Sequence, residues 1–196
     1  MTKNMTTGSP FKLIMSFALP LLIGNLLQQT YNLIDAAIVG RFLGSDALAS
    51  VGASSSVQFL VLGFCMGTAC GFGVPIARHF GAGDIKKLKQ YFYNSIVITA
   101  VTALVLTTVC GVLCSEILKL LSTPSNIFDD AYKYLLVIFL GIPFTLLYNL
   151  LSSVLRSVGD SKTPFVFLAI STVLNIVLDL VCVIVLKWGC MGAAVA

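Results

Sequence analysis

An all-α bundle of membrane-crossing helices is the fold this sequence predicts, and three observations carry the prediction. Of its 196 residues 58% are hydrophobic and only 10% charged, with a mean hydropathy of +0.99, whereas a soluble domain carries about 25% charged residues. Five apolar runs each reach the roughly 20 residues a helix needs to cross the hydrocarbon. Lysine and arginine divide unequally between the two sets of connecting segments. The expected surroundings are therefore a lipid bilayer. With a net charge of only +4, no nucleic-acid partner is expected.

The elements follow in order. Residues 1–12 form a polar N-terminal segment, and residues 13–196 the membrane lobe. The first crossing is expected over Leu13–Val39. Lys3 and Lys12 before it imitate a secretory signal. However, the run is too long for one, and Asn25, Gln28, Gln29 and Asn32 make it too polar. Further crossings are expected over Val51–Ile76, Tyr93–Cys114, Ala131–Val154 and Pro164–Leu186. Thr163 reads as the N-cap of the fifth. Pro164 reads as its first helical position, where a missing N–H costs nothing. A sixth helix starts at Gly189 in "GCMGAAVA" and meets no polar flank. That pattern is expected of one half of a longer protein.

Orientation comes from the basic residues. Lys3, Lys12, Arg78, Lys86, Lys87, Lys89, Arg156 and Lys162 share one side, against Arg41, Lys119, Lys133 and Lys187 on the other. The positive-inside rule then puts the N-terminus in the cytoplasm of a multi-pass inner (plasma) membrane protein. Tyr91 and Tyr93 fall at the inner interface and Trp188 at the outer one. The six cysteines lie in or beside apolar runs, without metal-ligand spacing to the single histidine, His79. They read as small apolar packing residues.

Polar residues inside the crossings carry the functional signal. Asn25, Gln28, Gln29, Asn32 and Asp35 share one face of the first crossing, within an arc of about 120°. Ser171, Asn175 and Asp179 fall at i, i+4 and i+8 on the fifth, with Thr172 beside them. Tyr148, Asn149, Ser152, Ser153 and Arg156 line the inner end of the fourth. Asp35 lies about 9 Å along its helix from Arg41, and Asp179 about 12 Å from Lys187. Both carboxylates are therefore expected in the outer half, at similar depth. Amides and hydroxyls suffice as interhelical glue. A carboxylate at the bilayer centre instead costs roughly 2.5–3.5 kcal/mol on insertion scales, and no lysine or arginine lies at matching depth. The expected partner is transient: a proton, a metal ion or a cationic solute. Two carboxylates in one pocket cannot both ionise without a cation. Asn175 adds an oxygen suited to Na⁺, so Asp35, Asn175 and Asp179 form an expected Na⁺ site that could equally share a proton.

Glycines and prolines suggest packing and bending. Gly63, Gly67 and Gly71 repeat a small-xxx-small face on the second crossing, for a static or a sliding helix contact. Pro20 and Pro143 are expected to kink the first and fourth crossings. A short echo between "YNLIDAAIVGRFLGSD" and "YNLLSSVLRSVGD" fits either chance or an inverted repeat.

Several motifs recur together in order. They are "ALP" at Ala18–Pro20, "D-x-x-x-V-G-R-x-L-G" from Asp35, "A-L-A-S-V-G" from Ala47, "R-H-F-G-A-G-D" from Arg78, "L-R-S-V-G-D-S-K-T-P" from Leu155 and "N-x-x-x-D" from Asn175. In these the chain resembles the N-terminal half of a multidrug and toxic compound extrusion (MATE) transporter. The resemblance implies one lobe of a two-lobe antiporter that exports small cationic or amphipathic compounds by alternating access. The coupling ion is Na⁺ or H⁺, and no cofactor or enzymatic chemistry is involved. It implies a cation site at Asp35, Asn175 and Asp179, adds Tyr134 to that network, and leaves the C-terminal lobe as the missing partner. Three alternatives stand beside it. A lipid-linked precursor flippase of the same superfamily calls for more cavity lysine and arginine. An intramembrane aspartyl protease calls for a catalytic motif absent around Asp35 and Asp179. The third is a non-transporting assembly subunit.

Overall fold

The structure, a computed structural model, describes residues 9–196; Lys3 and the rest of residues 1–8 lie outside them. Its elements are α1 (Pro10–Phe42), α2 (Ser45–Gly81), α3 (Ile85–Leu120), α4 (Phe128–Leu140), α5 (Ile142–Ser157) and α6 (Lys162–Leu180). A π-helical turn (Val181–Val185) and α7 (Gly189–Val195) complete the chain. The described residues contain no strand. The first three helices have 33, 37 and 36 residues. At 1.5 Å per residue they are about 50 Å long, so they outrun the hydrocarbon and begin or end beyond the expected bounds. Four helices are long and apolar enough to cross a membrane, and a fifth span forms if α4 and α5 are joined. A single membrane lobe is the result, as the apolar runs predict.

The fourth crossing is broken rather than merely kinked. Its halves meet at an angle of 44°. The break falls at Gly141, whose N–H is shared between the carbonyls of Val137 and Ile138. Pro143 follows in the first turn of α5, where it lacks the N–H that would continue the ladder. Pro20, by contrast, lies inside an uninterrupted α1, and Pro75 inside α2.

Helix ends follow from capping and turn chemistry. Gly44 takes φ 92° between α1 and α2, a conformation open to glycine without a Cβ penalty. The Asp84 side chain caps α3 by accepting from the Lys87 N–H at 3.0 Å. The fifth crossing differs from expectation. Asp160, not Thr163, supplies its cap: Oδ1 accepts from the N–H groups of Lys162 (3.1 Å) and Thr163 (3.0 Å), and Oδ2 from the Thr163 hydroxyl (2.8 Å). A carboxylate satisfies two orphan donors at once and sits well at a helix N-terminus.

Two packed groups result. In one, α2, α3, α4 and α5 pack together. Their core contains Cys65, Cys110, Cys114, Leu118, Leu135, Phe139, Ile142 and Leu146. In the other, α1 lies chiefly on α6. The groups meet at the end where α1 turns into α2. There Ile38, Val39, Ala47, Tyr134, Val183, Cys190 and Ala193 form a second cluster, and α7 joins the π-helical turn to α4. Large apolar side chains such as Phe59, Leu60, Leu104, Val112 and Val173 face outward, as lipid contact requires.

The glycine expectation is corrected. A Cβ at Gly63, Gly67 or Gly71 would meet nothing within 4 Å, so that face packs on no described residue. The close approach is at Gly73, one helical position around. A Cβ there would come 2.5 Å from Ser153 Oγ and 2.8 Å from Ser157 Oγ. Ser157 donates to the Gly73 carbonyl at 2.9 Å. Small residues on both helices let α2 and α5 approach, which a glycine count on α2 alone could not reveal. Five cysteines are buried as packing residues, and Cys70 is exposed.

Candidate functional site

Asp35 sits on α1 two turns before its end, and Asp179 on the last turn of α6 before the π-helical segment. Because α1 packs along α6, the two carboxylates face one region. They are close enough for the charge of Asp35 to act on Asp179, and for both to act on the hydroxyls of Tyr31 and Tyr134. Asp179 is only 1% exposed and Asp35 is partly buried. Tyr134 reaches the site from α4, where it is buried, and the Gln58 side chain hydrogen-bonds it from α2. Four helices thus contribute, two from each packed group.

The electrostatic state of this cluster is unusual. Asp35 Oδ1, Asn175 Oδ1 and both carboxylate oxygens of Asp179 are buried without a hydrogen-bond partner. An ionised carboxylate taken out of water without compensation costs several kcal/mol, and buried polar atoms are nearly always paired. Ion pairs between described residues join Lys87 to Asp84 at 3.8 Å and Lys119 to Glu116 at 2.8 Å, both exposed. Neither reaches the cluster. Among the described residues no third histidine, cysteine or acid joins the aspartates. The set is therefore all-oxygen, with at most two negative charges. Hard cations take such ligands, and a proton would serve by letting one carboxyl donate.

Of the residues singled out from sequence, Asp35, Asn175, Asp179 and Tyr134 come together. Those on α5 do not join them. Asn149 donates to its own helix at the Thr145 carbonyl (2.8 Å), while Ser152 and Ser153 are buried away from α6. On α6, Thr172 bonds back to the Leu168 carbonyl (2.9 Å).

Two members were not singled out. Tyr31 lies one turn before Asp35, so helical periodicity could have found it. Gln58 is an amide within the apolar run "VQFLVLG" of α2, a signal of the same kind as Asp35. The π-helical turn directly after Asp179 was not anticipated either. Such widened turns recur at functional sites, and apolar periodicity does not encode them.

The MatE family pattern matches residues 20–181. A probable multidrug resistance protein of Bacillus subtilis, YoeA, is 33% identical over the whole of this chain. A second from that organism, YpnP, is 35% identical over 97% of it. The chain spans 43% of the length of each. Among solved structures, a MATE protein in complex with MaD3S superposes with a TM-score of 0.89 at 26% identity, covering 96% of this chain and 42% of that one. An outward-facing multidrug resistance MATE transporter gives 0.88 at 26% identity, covering 95% and 41%.

Proposed function

Because the chain belongs to the MatE family, we propose that it is the N-terminal lobe of an antiporter that exports small cationic or amphipathic compounds. Entry of Na⁺ or H⁺ at Asp35, Asn175 and Asp179 drives the export, and a C-terminal lobe completes the transporter. The observation that carries this reading is the group of four buried, unpartnered oxygens on those three residues. A cation supplies what they lack. When it leaves, two carboxylates in a poorly solvated space repel each other. Asp35, Asn175 and Asp179 ride on the α1–α6 group, whereas Tyr134 and Gln58 ride on the other group. Occupancy therefore biases how the two groups pack, which is the requirement for coupling ion binding to a change of access. The same acidity argues against a flippase for an anionic lipid headgroup. The N-terminus is placed in the cytoplasm by the positive-inside count.

Ethidium accumulation in cells expressing the protein tests the reading. Asp35→Asn and Asp179→Asn should each raise accumulation to the level of cells without it. Efflux equal to the parent in either variant would remove that carboxylate from the mechanism.

A further inference from the structure

One face of α1 has no place in the cation site. Asn25, Gln28, Gln29 and Asn32 are all exposed in a helix apolar enough to cross the membrane. At 100° per residue they fall within roughly 100° of one another. On one flank lies the buried side of α1, which carries Gly24, Ile38 and Val39 and, partly buried, Asp35. On the other flank lie Leu19, Leu22, Leu26 and Leu33, all exposed. The leucines suit acyl chains and the amides do not. A carboxamide without hydrogen-bond partners in hydrocarbon costs several kcal/mol. Asn32 donates to Gln29 at 3.2 Å, but Asn25 and Gln28 have no hydrogen-bond partner among the described residues. These groups therefore border water or a polar guest, and the strip they form runs along the helix to Asp35.

We infer that Asn25, Gln28, Gln29 and Asn32 form the solute-contacting wall of the passage leading to Asp35, and that this wall selects cations carrying several hydrogen-bonding groups. This rests on the proposed export reading and adds the substrate class to it. Carboxamides both donate and accept, so four of them match mixed patterns of amino, hydroxyl and carbonyl groups. A site built to hydrogen-bond its guest discriminates strongly against an analogue without those groups.

The test compares two cations of equal charge, using equilibrium binding to the protein in lipid nanodiscs. Ethidium carries two ring amino groups; tetraphenylphosphonium carries no hydrogen-bonding group. The double variant Gln28→Leu/Asn32→Leu should weaken ethidium binding about tenfold, the loss expected from two hydrogen bonds. Its tetraphenylphosphonium Kd should stay within about twofold. Asp35→Asn should weaken both cations. If the double variant moves both cations equally, or neither, while Asp35→Asn still weakens both, the wall is refuted and the cation site survives. If Asp35→Asn weakens neither, the site reading fails and the wall with it. A second measurement needs no guest. Asn32→Cys in a Cys70→Ser background should react with a membrane-impermeant methanethiosulfonate. Protection of that thiol would mean that lipid or protein covers the face, and would overturn the inference.

Discussion

At the scale of single residues, Asp179 and Tyr134 make different demands on a guest. Asp179 brings a buried charge with both oxygens unpartnered, so replacing it with asparagine removes compensation as well as a ligand. Tyr134 brings one hydroxyl, already bonded to Gln58. Tyr134→Phe should therefore keep transport but raise the cation concentration for half-maximal rate by about 2- to 10-fold, the span of one modest hydrogen bond. A loss as complete as that expected for Asp179→Asn would show the hydroxyl to be indispensable, contrary to this ranking. The aspartates were legible in the sequence because a carboxylate in an apolar run is costly wherever it points. Gln58 was not, because an amide in such a run is ordinarily interhelical glue. Only the fold turns it toward Tyr134.

At the scale of elements, the contact between α2 and α5 depends on Gly73 and two serines, not on the glycine repeat. Gly73→Val would drive a branched side chain into Ser153 and Ser157 and break the Ser157 hydroxyl bond to the Gly73 carbonyl. Overpacking of this kind costs typically 1–3 kcal/mol. The thermal midpoint of the purified chain should fall by several degrees. Gly67→Ala is the matched control. Nothing lies within 4 Å of its new methyl group, so helix propensity alone acts and stability should hold or rise by up to about 1 kcal/mol. A larger loss for Gly67→Ala than for Gly73→Val would reinstate the repeat as the packing face. The crossings themselves were legible because twenty apolar residues have few other uses. Which face of α2 packs was not, since Gly63, Gly67, Gly71 and Gly73 look alike until α5 presents Ser153 and Ser157. The break at Gly141 was half legible. Pro143 announced a disturbance, but a glycine two residues earlier placed it.

At the scale of the whole molecule, every statement about access depends on which end of the lobe faces the cytoplasm. The turn between α2 and α3 carries Arg78, Lys86, Lys87 and Lys89, while the turn between α3 and α4 carries Lys119 and, just within α4, Lys133. His79 and Tyr91 stack across the first of these turns with ring centroids 5.1 Å apart, and Tyr93 is exposed beside them, a composition suited to a headgroup layer. Gly83 holds φ 71° there, so a substitution at it would strain the turn, but Ala82 is exposed and takes φ −81°. In a Cys70→Ser background, Ala82→Cys should resist an impermeant thiol reagent added to intact cells and react once the cells are opened. Ser125→Cys, exposed in the opposite turn, should react without opening. The reverse pattern would invert the lobe and place Asp35 and Asp179 nearer the cytoplasm. An external ion would then have to cross most of the bilayer before meeting either carboxylate, and the proposed order of events, external cation in before cytoplasmic solute out, would lose its physical basis.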